Sequence, residues 1–244
     1  MKDLFSAQSA LYQQARPIYP AELIKQLLPY VPAQQCAWDC GAGSGQLTQL
    51  LAPHFQQVMA TDISAKQLAQ APILENVQYS VQSAEQTDFP AQHFDLISVA
   101  QAIHWFDFEK FYAEVRRTLK PAGLLAVIGY GLIRTDQQRI NQFIDELYKG
   151  ILKGYWDAER HYIDEGYRTI PFPFQEYPAP ELNMHFEWSV VQLIAYLNTW
   201  SAVQHFQRRH QQNPVDLLLN QLQDHDLQKK IQVHFPILLR LGHL

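Results

Sequence analysis

The sequence predicts an α/β fold with a doubly wound, mostly parallel sheet that carries helices on both faces. Two observations support this prediction. Through residues 36–130, short apolar runs alternate with segments of helical periodicity, an order that implies crossover connections between parallel strands. Residues 96–100, LISVA, are apolar almost throughout rather than at every second position, which is typical of a central strand buried on both faces.

The elements of the first half follow from periodicity and from stop signals. Pro53 ends the second helix, and a K-P-A-G turn at residues 120–123 ends the fourth. The predicted strands are residues 36–39, 58–62, 77–81, 94–99 and 124–130. The predicted helices are residues 21–30, 46–52, 66–71 and 108–119.

The second half is less regular. Its pattern predicts an amphipathic helix over residues 136–152 and a long helix over residues 190–206. Residues 171–180, PFPFQEYPAP, contain too many prolines for a helix interior or a central strand, so we expect a loop there.

Two segments near the C-terminus, residues 182–187 and 231–241, are candidates for the last strands of the sheet. Pro236 lies inside the second of them and cannot donate a ladder hydrogen bond. Either the pairing therefore begins after Pro236, or this terminus departs from a regular sheet.

Composition limits the classes of protein. The chain has 244 residues, of which 47% are apolar, enough for a sizeable core in one domain. Its formal net charge of −5 provides no overall basic field for nucleic acid. The N-terminus carries no apolar signal core, and no apolar stretch approaches the ~18 residues of a membrane span. We expect a cytoplasmic protein, monomeric or homodimeric, that binds neither nucleic acid nor membrane.

Cysteine and histidine provide no pattern for a metal. Cys36 and Cys40 lie four residues apart on one predicted strand, roughly 13 Å along it, which is too far for a disulfide. Ten histidines are present, but neither an H-E-x-x-H motif nor a pair of C-x-x-C motifs occurs. We therefore expect buried, inert thiols and no metal.

A glycine-rich turn follows the first predicted strand, in A-W-D-C-G-A-G-S-G-Q at residues 37–46. Glycine allows a sharp turn and a close approach of the backbone to a ligand. The third glycine comes one residue earlier than in the dinucleotide pattern G-x-G-x-x-G. The D-x-G-x-G-S-G pattern instead resembles the first motif of class I S-adenosylmethionine-dependent methyltransferases.

An acid at the end of the second predicted strand strengthens this resemblance. Asp62 lies about 20 residues after Gly41, the offset expected of an acid that binds ribose hydroxyls. Asp is also favoured at helix N-caps, and a helical segment follows, so Asp62 could cap that helix instead. Both roles can hold at once.

Further segments resemble the same family, and the resemblance covers residues 10–130 well. Ser83, Ala84 and Glu85 resemble the segment that receives adenine, residues 94–97 resemble the strand that carries the reaction site, and residues 119–126 resemble the turn before strand five. The resemblance implies a Rossmann-like, seven-stranded sheet with an antiparallel last strand. It also implies S-adenosylmethionine as cofactor and S-adenosylhomocysteine as product.

The resemblance divides one methyltransferase domain, residues 1–244, into four parts. These are a helical N-terminal cover (1–35), the cofactor-binding core (36–130), a helical or loop insertion after strand five that is a candidate substrate lid (131–180), and the completion of the sheet (181–244). The implied cofactor-binding residues are Tyr12, Arg16, Asp39, Gly41, Ala42, Gly43, Gly45, Asp62, Ile63, Ser83, Ala84, Glu85 and Gln101.

Three short phrases resemble a narrower branch, the small-molecule methyltransferases of the trans-aconitate type. They are Y-Q-Q-A-R-P-I-Y-P at residues 12–20, Q-A-I-H-W at residues 101–105 and T-W-S at residues 199–201. In that branch Arg16 would bind the methionine carboxylate, and Tyr12 or Tyr19 would line the cavity. Alternatively, Arg16 makes a surface ion pair and the nearby prolines only start the next helix.

His104, Trp105 and Trp200 are the candidates for the substrate pocket. His104 and Trp105 follow the fourth strand, where ligands collect in open parallel sheets. His104 could take a proton from a hydroxyl or amine acceptor, or it could be a packing residue. The tryptophans could form pocket walls or simply be core.

A base is optional, because a carboxylate acceptor is already ionised at neutral pH. The sequence therefore indicates methyl transfer to a small molecule, with an organic carboxylate as one candidate. The alternatives are a carrier-bound or bulkier acceptor and a non-catalytic module that binds S-adenosylmethionine.

Overall fold

The computed structural model describes residues 16–222 and 228–244. Its strands are β1 Cys36–Cys40, β2 Gln57–Asp62, β3 Val77–Val81, β4 Phe94–Ala100, β5 Leu119–Tyr130, β6 Arg134–Thr135, β7 Gln175–Tyr177, β8 Asn183–Ser189 and β9 Lys230–His243. Its helices are α1 Ala21–Leu27, α2 Gln46–Leu51, α3 Ala65–Leu68, α4 Phe108–Thr118, α5 Gln138–Asp145, α6 Arg160–Asp164, α7 Val190–Leu197 and α8 Ser201–His210. Within these two described stretches, no helix combines the length and the apolar character needed to cross a bilayer.

The first five strands form a parallel sheet in the order β3-β2-β1-β4-β5, as the alternating pattern predicts. Neighbouring residues of β1 face opposite sides, and both sides are covered. Ala37 packs in a cluster with residues of α1 and α2, whereas Trp38 and Cys40 pack with Phe111 and Val115 of α4. The doubly wound fold is therefore confirmed, and the carboxyl ends of β1, β2 and β4 meet at one edge.

The C-terminal strand β9 completes the sheet. Residues 237–242 of β9 pair antiparallel with β5, and residues 230–236 pair antiparallel with β8 on the other edge. The order β5-β9-β8 supplies the last two strands of the expected seven-stranded plan. Two short strands that the sequence did not predict, β6 and β7, also pair with β9.

Pro236 lies inside β9 without interrupting it. Pairing with β5 begins at the next residue, Ile237, as the first alternative expects, but pairing with β8 begins at Lys230 and includes Pro236. The carbonyl of Pro236 accepts a hydrogen bond from the Gly131 N–H at 2.9 Å, just after β5 ends. The missing N–H of Pro236 would point to that same side, beyond the end of the β5 ladder, so no ladder bond is lost.

The long helix predicted over residues 190–206 is wrong, because two helices occupy that segment. A capping box of Ser189 and Gln192 starts α7, and α8 starts at Ser201. Between them Trp200 adopts an extended backbone, and its buried ring packs against Tyr148 and Trp156 with centroids 5.5 and 5.4 Å away. Tertiary packing of the Trp200 ring accompanies the break, which local periodicity does not indicate.

Three other predictions need local correction. The proline-dense loop over residues 171–180 contains strand β7, which the prolines flank rather than interrupt. The turn over residues 120–123 lies within β5 as an irregularity, since Leu119 pairs with Phe94 and Leu124 pairs with Leu96. The helix predicted over residues 136–152 is α5 followed by a π-helical turn, Glu146–Ile151.

The insertion after β5 is anchored to the sheet by Tyr167. This residue is fully buried and has a positive φ of 62°, a backbone conformation that residues other than glycine rarely adopt. Its ring lies directly against Gly129 of β5, where a Cβ atom would come within 2.5 Å of Tyr167 Cε2. Arg240 of β9 donates a hydrogen bond to the Tyr167 carbonyl at 3.0 Å. Gly129 thus leaves the space that the Tyr167 ring fills.

We expect Gly129→Ala to lower the free energy of unfolding by about 1 to 3 kcal/mol, since the added methyl group overpacks a closed contact. Gly150→Ala is the matched control, because the nearest atom to its new Cβ is Glu146 Cγ at 3.8 Å and the backbone there is helical. That control should be neutral or stabilising by up to about 1 kcal/mol. Chemical denaturation of both variants measures the difference, and equal stabilities would contradict the packing argument.

Candidate functional site

The glycine turn after β1 has the left-handed backbone that its sequence predicts. Gly41, Gly43 and Gly45 have φ values of 71°, 57° and 78°. The N–H groups of Gly41 and Ala42 both donate to the carbonyl of Thr61 on β2, at 2.8 and 2.9 Å. A Cβ atom on Gly41 would lie 2.6 Å from the Cβ of Ala102, in the loop after β4. The turn therefore tolerates only glycine at position 41, and it joins the loops that follow three neighbouring strands.

Asp39 lies at the end of β1 and is fully buried. Its carboxylate accepts hydrogen bonds from the Thr48 hydroxyl at 2.6 Å and from the Ser98 hydroxyl at 3.3 Å. Burial raises the pKa of Asp39 to about 6, and the hydrogen bonds from the two hydroxyls oppose that rise. Asp39 is thus a buried acid beside the glycine turn, where a cationic group would favour its ionised form.

Asp62 joins the ends of β1 and β2. Its Oδ2 accepts from the Gly43 N–H at 2.9 Å, and its Oδ1 accepts from the Ser64 N–H at 2.8 Å. The N-cap of α3 is Ser64, whose hydroxyl accepts from the Gln67 N–H, so the N-cap alternative for Asp62 is wrong. The carboxylate holds the glycine turn and the next turn in one arrangement.

A cavity opens above these turns, at the carboxyl ends of the parallel strands, where ligands bind in open α/β sheets. It collects most of the residues that the sequence predicts for the site. These are Arg16, Tyr19, Asp39, Gly41, Ala42, Gly43, Asp62, Ile63, Gln101, His104, Trp105 and Trp200.

Four predicted residues that the structure describes, Gly45, Ser83, Ala84 and Glu85, do not line this cavity. Gly45 is the N-cap of α2 and belongs to the turn rather than to the cavity wall. Ser83, Ala84 and Glu85 lie in the turn after β3, where the Ser83 hydroxyl donates to Glu85 and Glu85 accepts from the Asp107 N–H at 3.2 Å. Tyr12 lies outside the described residues.

The cavity also contains residues that the sequence prediction of the site missed. Tyr130 closes β5, so the rule that ligands collect at strand ends could have found it. Arg160 comes from the insertion, and Tyr196 comes from α7. Trp156 also lines the cavity, but it was not missed, because it is one of the aromatic residues that the sequence places in the candidate lid, residues 131–180. No motif marks Arg160, because its place in the cavity depends on how the insertion folds back over the sheet.

Arg16 reaches the cavity wall from the N-terminal segment. Its Nη1 donates a hydrogen bond to the Tyr130 hydroxyl at 2.8 Å. The buried ring of Tyr19 packs against the same Tyr130 at 6.1 Å between ring centroids. The segment before α1 thus forms part of the cavity, in agreement with its predicted place.

His104 lies in a single 3-10 turn, Ile103–Trp105, after β4, and it is buried. Burial, together with the positive charges of Arg160 and Arg16, lowers its pKa to about 3. The imidazole is therefore neutral at physiological pH. A base that loses its proton so readily has little capacity to hold one taken from an acceptor, which argues against the proton-removal role.

Arg160 brings a second cation to the cavity. Its Nε donates to the Tyr148 hydroxyl at 2.8 Å and lies 3.6 Å from an Asp164 oxygen. Its guanidinium lies 5.4 Å from the Tyr148 ring centroid and 5.0 Å from that of Trp156. In the described part of the chain these side-chain contacts hold Arg160 through Nε and the guanidinium face. The terminal nitrogens Nη1 and Nη2 therefore remain for a bidentate ligand.

The arrangement of charge and polarity suits an organic ligand better than a metal. Among residues 16–222 and 228–244, no cluster of three or more His, Cys, Asp or Glu side chains is arranged to hold a metal ion. Cys36 and Cys40 are buried, free thiols, and burial raises the pKa of Cys36 to about 11. The cavity combines three acids, of which Asp39 is buried, with two arginines and several aromatic rings.

The chain matches known proteins over its length. A family model described as a methyltransferase domain matches residues 38–127. A protein of Dictyostelium discoideum that is named as a methyltransferase is 33% identical over 248 aligned residues, covering 98% of this chain and 94% of that protein.

Solved structures agree with these matches. A protein of Anaeromyxobacter dehalogenans described as a type II methyltransferase is 39% identical, with a TM-score of 0.87 over 93% of this chain and 97% of that one. A methyltransferase of an antibiotic biosynthesis pathway in Anabaena variabilis has a TM-score of 0.57 over 91% of this chain and 99% of its own, at 17% identity, and so shares the fold.

We expect His104 to make stability fall as pH falls. Its folded-state pKa of about 3 lies below the unfolded value of ~6.5, so the unfolded chain binds the proton first as the pH drops. Between pH 7.5 and pH 5 this costs about 2 kcal/mol of unfolding free energy. Comparing the wild type with His104→Gln by denaturation at both pH values isolates the effect, because Asp39 and the other titrating groups act in both proteins. An identical pH dependence would contradict the neutral, buried imidazole.

Proposed function

The chain belongs to the class I S-adenosylmethionine-dependent methyltransferases, with S-adenosylmethionine as its cofactor, and we propose on this basis that its methyl acceptor is a small organic acid. The observation that carries the proposal is the position of Arg160. Its terminal nitrogens are unpaired among the described residues, and it lines the same cavity as the glycine turn and Asp62. A guanidinium fork matches a carboxylate in geometry and charge.

The residues around the glycine turn fit the cofactor. Gly41 and Gly43 adopt the left-handed backbone that this tight turn requires, and both line the cavity. We assign the methionine end to this turn, with Asp39 facing its ammonium group and Arg16 its carboxylate. We assign the ribose hydroxyls to Asp62. When bound, the cofactor supplies a methyl group activated by the sulfonium charge.

We keep Ser83, Ala84 and Glu85 as the proposed neighbours of adenine. They follow β3 directly, and the N–H of Gln82 donates to the carbonyl of Asp62 at 3.3 Å. This contact supports the assignment, because it brings the turn after β3 beside the proposed ribose site. Ile63 follows Asp62 in the sequence and lines the cavity, so it is a candidate for an apolar contact with the adenine ring.

The acceptor would lie in the part of the cavity walled by aromatic side chains. Trp105, Trp156, Tyr196 and Trp200 line it, and Arg160 enters it from α6. Trp156 and Arg160 both belong to the insertion after β5, which supports the proposal that residues 131–180 form the substrate lid. A cation within apolar walls favours an acid with an organic body over a strongly hydrated inorganic anion.

Methylation of a carboxylate requires little acid–base catalysis by the protein. It is ionised at neutral pH, so its oxygen can attack the methyl group without first losing a proton. The reaction brings together two opposite charges, and a cavity that holds the two reactants in line and excludes water supplies much of the acceleration. The neutral state of His104 agrees with this, since no base is required.

Incubation of a cell extract with the purified enzyme and S-adenosyl-L-[methyl-³H]methionine tests the proposal. We expect label in acidic compounds below about 1 kDa, released as volatile methanol by mild base because a methyl ester hydrolyses there. Label in the macromolecular fraction would favour the carrier-bound alternative. Binding of cofactor without label transfer would favour the non-catalytic module, and base-stable label in small molecules would exclude carboxylate methylation.

We expect Asp62→Ala to weaken binding of S-adenosylhomocysteine by about 2 to 3 kcal/mol, since the variant loses charge-assisted hydrogen bonds to the ribose. Isothermal titration calorimetry measures this change. Asp88→Ala is the control, because Asp88 is exposed and lies outside the cavity. Equal affinity of the two variants would remove Asp62 from the cofactor site.

We expect Arg160→Met to lower kcat/KM for the acidic acceptor about 10- to 100-fold, corresponding to the loss of a charged hydrogen-bonded pair. Arg160→Lys should recover part of this loss, since it restores the charge but not the planar fork. Arg209→Met is the control for removing one exposed arginine. Binding of S-adenosylhomocysteine should be unchanged in all three variants, and unchanged kcat/KM in Arg160→Met would contradict the proposed role.

A further inference from the structure

His104 meets the insertion through one specific contact. Its Nδ1 lies 3.3 Å from the hydroxyl oxygen of Tyr167, and the two rings are nearly parallel, with centroids 6.1 Å apart. His104 lines the cavity, whereas Tyr167 does not. The contact with His104 therefore links Tyr167 to the cavity.

The hydrogen-bond inventory of this pair determines where the imidazole proton lies. Tyr167 is fully buried, and burial raises its pKa, so its hydroxyl keeps its proton. In the described chain the only hydrogen-bond partner of that hydroxyl is His104 Nδ1. If Nδ1 carried the imidazole proton and donated it, the buried O–H of Tyr167 would have no acceptor, which is costly. Tyr167 therefore donates to Nδ1, and the neutral imidazole carries its proton on Nε2.

The other ring nitrogen faces the cavity. Among the described residues, no group forms a hydrogen bond with His104 Nε2. Nε2 is not one of the fully buried side-chain atoms without a partner, so it is accessible rather than enclosed. Since His104 lines the cavity, Nε2 is the polar atom that it exposes there.

We propose that Tyr167 is a positioning residue that holds His104 in the Nε2–H tautomer, so that His104 donates a hydrogen bond to an oxygen of the acceptor and does not remove a proton from it. The position of the proton follows from the structure alone. Only the identity of its partner, an acceptor oxygen, rests on the proposed function.

The surroundings of the pair favour this arrangement. Arg16 and Arg160 both disfavour a positively charged imidazole, and the three acids of the cavity wall, Asp39, Asp62 and Asp157, make no hydrogen bond to it. Tyr167 is kept in place although its φ of 62° is unfavourable for a tyrosine. Such strain persists only where surrounding contacts impose it, here the space beside Gly129 and the hydrogen bond from Arg240.

The proposed reaction balances without a base. A carboxylate oxygen of the acceptor attacks the methyl carbon, the carbon–sulfur bond breaks, and its electron pair stays on sulfur, which loses its positive charge. No proton is released at any step. A hydrogen-bond donor at the acceptor oxygen orients that oxygen, and Arg160 and Nε2–H together present only donors to it.

Nitrogen-15 NMR of histidine-labelled protein bound to S-adenosylhomocysteine tests the tautomer without any acceptor. The His104 signals are assigned by their loss in His104→Gln. We expect a protonated Nε2 and an unprotonated Nδ1, unchanged between pH 5.5 and 8. In Tyr167→Phe we expect the tautomer preference to decrease or reverse. A proton on Nδ1, or a His104 that titrates in this range, would overturn the proposal.

Two substitutions at His104 separate a donor from a base in activity. The glutamine amide nitrogen can occupy the place of Nε2, whereas the asparagine amide nitrogen reaches only the place of Nδ1. We expect His104→Gln to keep kcat/KM within about 10-fold and His104→Asn to lose about 100-fold or more, the loss typical of a removed donor. Equal, large losses in both variants, with a wild-type rate that rises through pH 6 to 7, would indicate a base instead.

Tyr167→Phe completes the test, because it removes one oxygen and keeps the packing. We expect a roughly 10-fold higher KM for the acceptor with an unchanged Kd for S-adenosylhomocysteine. A purely structural role would lower stability and affect the two ligands alike. These experiments can fail independently of those on Arg160. The NMR measurement tests the tautomer of His104, and its result holds even if the Arg160 variants show that the acceptor is not an acid.

Discussion

The close approach at Gly41 is the constraint on which the site depends. The N–H groups of Gly41 and Ala42 share the carbonyl of Thr61, and the missing side chain of Gly41 lets Ala102 pack against the turn. One position therefore sets the spacing of the loops after β1, β2 and β4. Asp62 strengthens the same junction by accepting from both Gly43 and Ser64. Because these bonds are made by the protein itself, the turn is organised before any ligand binds, which lowers the entropic cost of binding.

The charges of the cavity are separated by position. A buried acid, Asp39, lies beside the glycine turn, whereas Arg16 and Arg160 contribute positive charge at the cavity wall. Burial and both arginines keep the imidazole of His104 neutral. The cavity thus offers both a carboxylate, Asp39, and a guanidinium, Arg16, to the proposed methionine end of the cofactor, and a second guanidinium, Arg160, to the other ligand. For the proposed acceptor, an organic acid, Arg160 is the complementary charge.

The predictions that succeeded share a local cause. The glycine spacing, the acid about 20 residues later and the apolar strand at residues 96–100 each encode their structure within a few residues. The failures share a tertiary cause. Periodicity predicts one helix over residues 190–206, but the buried Trp200 packs with Trp156 and the helix is interrupted there. The resemblance places Ser83, Ala84 and Glu85 at the adenine of the cofactor, yet none of the three lines the cavity.

The sequence by itself determined the doubly wound sheet, the glycine turn, Asp62 and the family, because these depend on backbone conformations that only certain residues permit and on fixed spacings along the chain. Only the tertiary structure decided how the insertion contributes to the site. Arg160 reaches the cavity, and Tyr167 reaches His104 across 63 positions of sequence, through the packing of the insertion onto β5 and β9. Contacts between distant segments leave no periodic or spaced pattern in the chain, so their chemistry becomes visible only when the fold brings the side chains together.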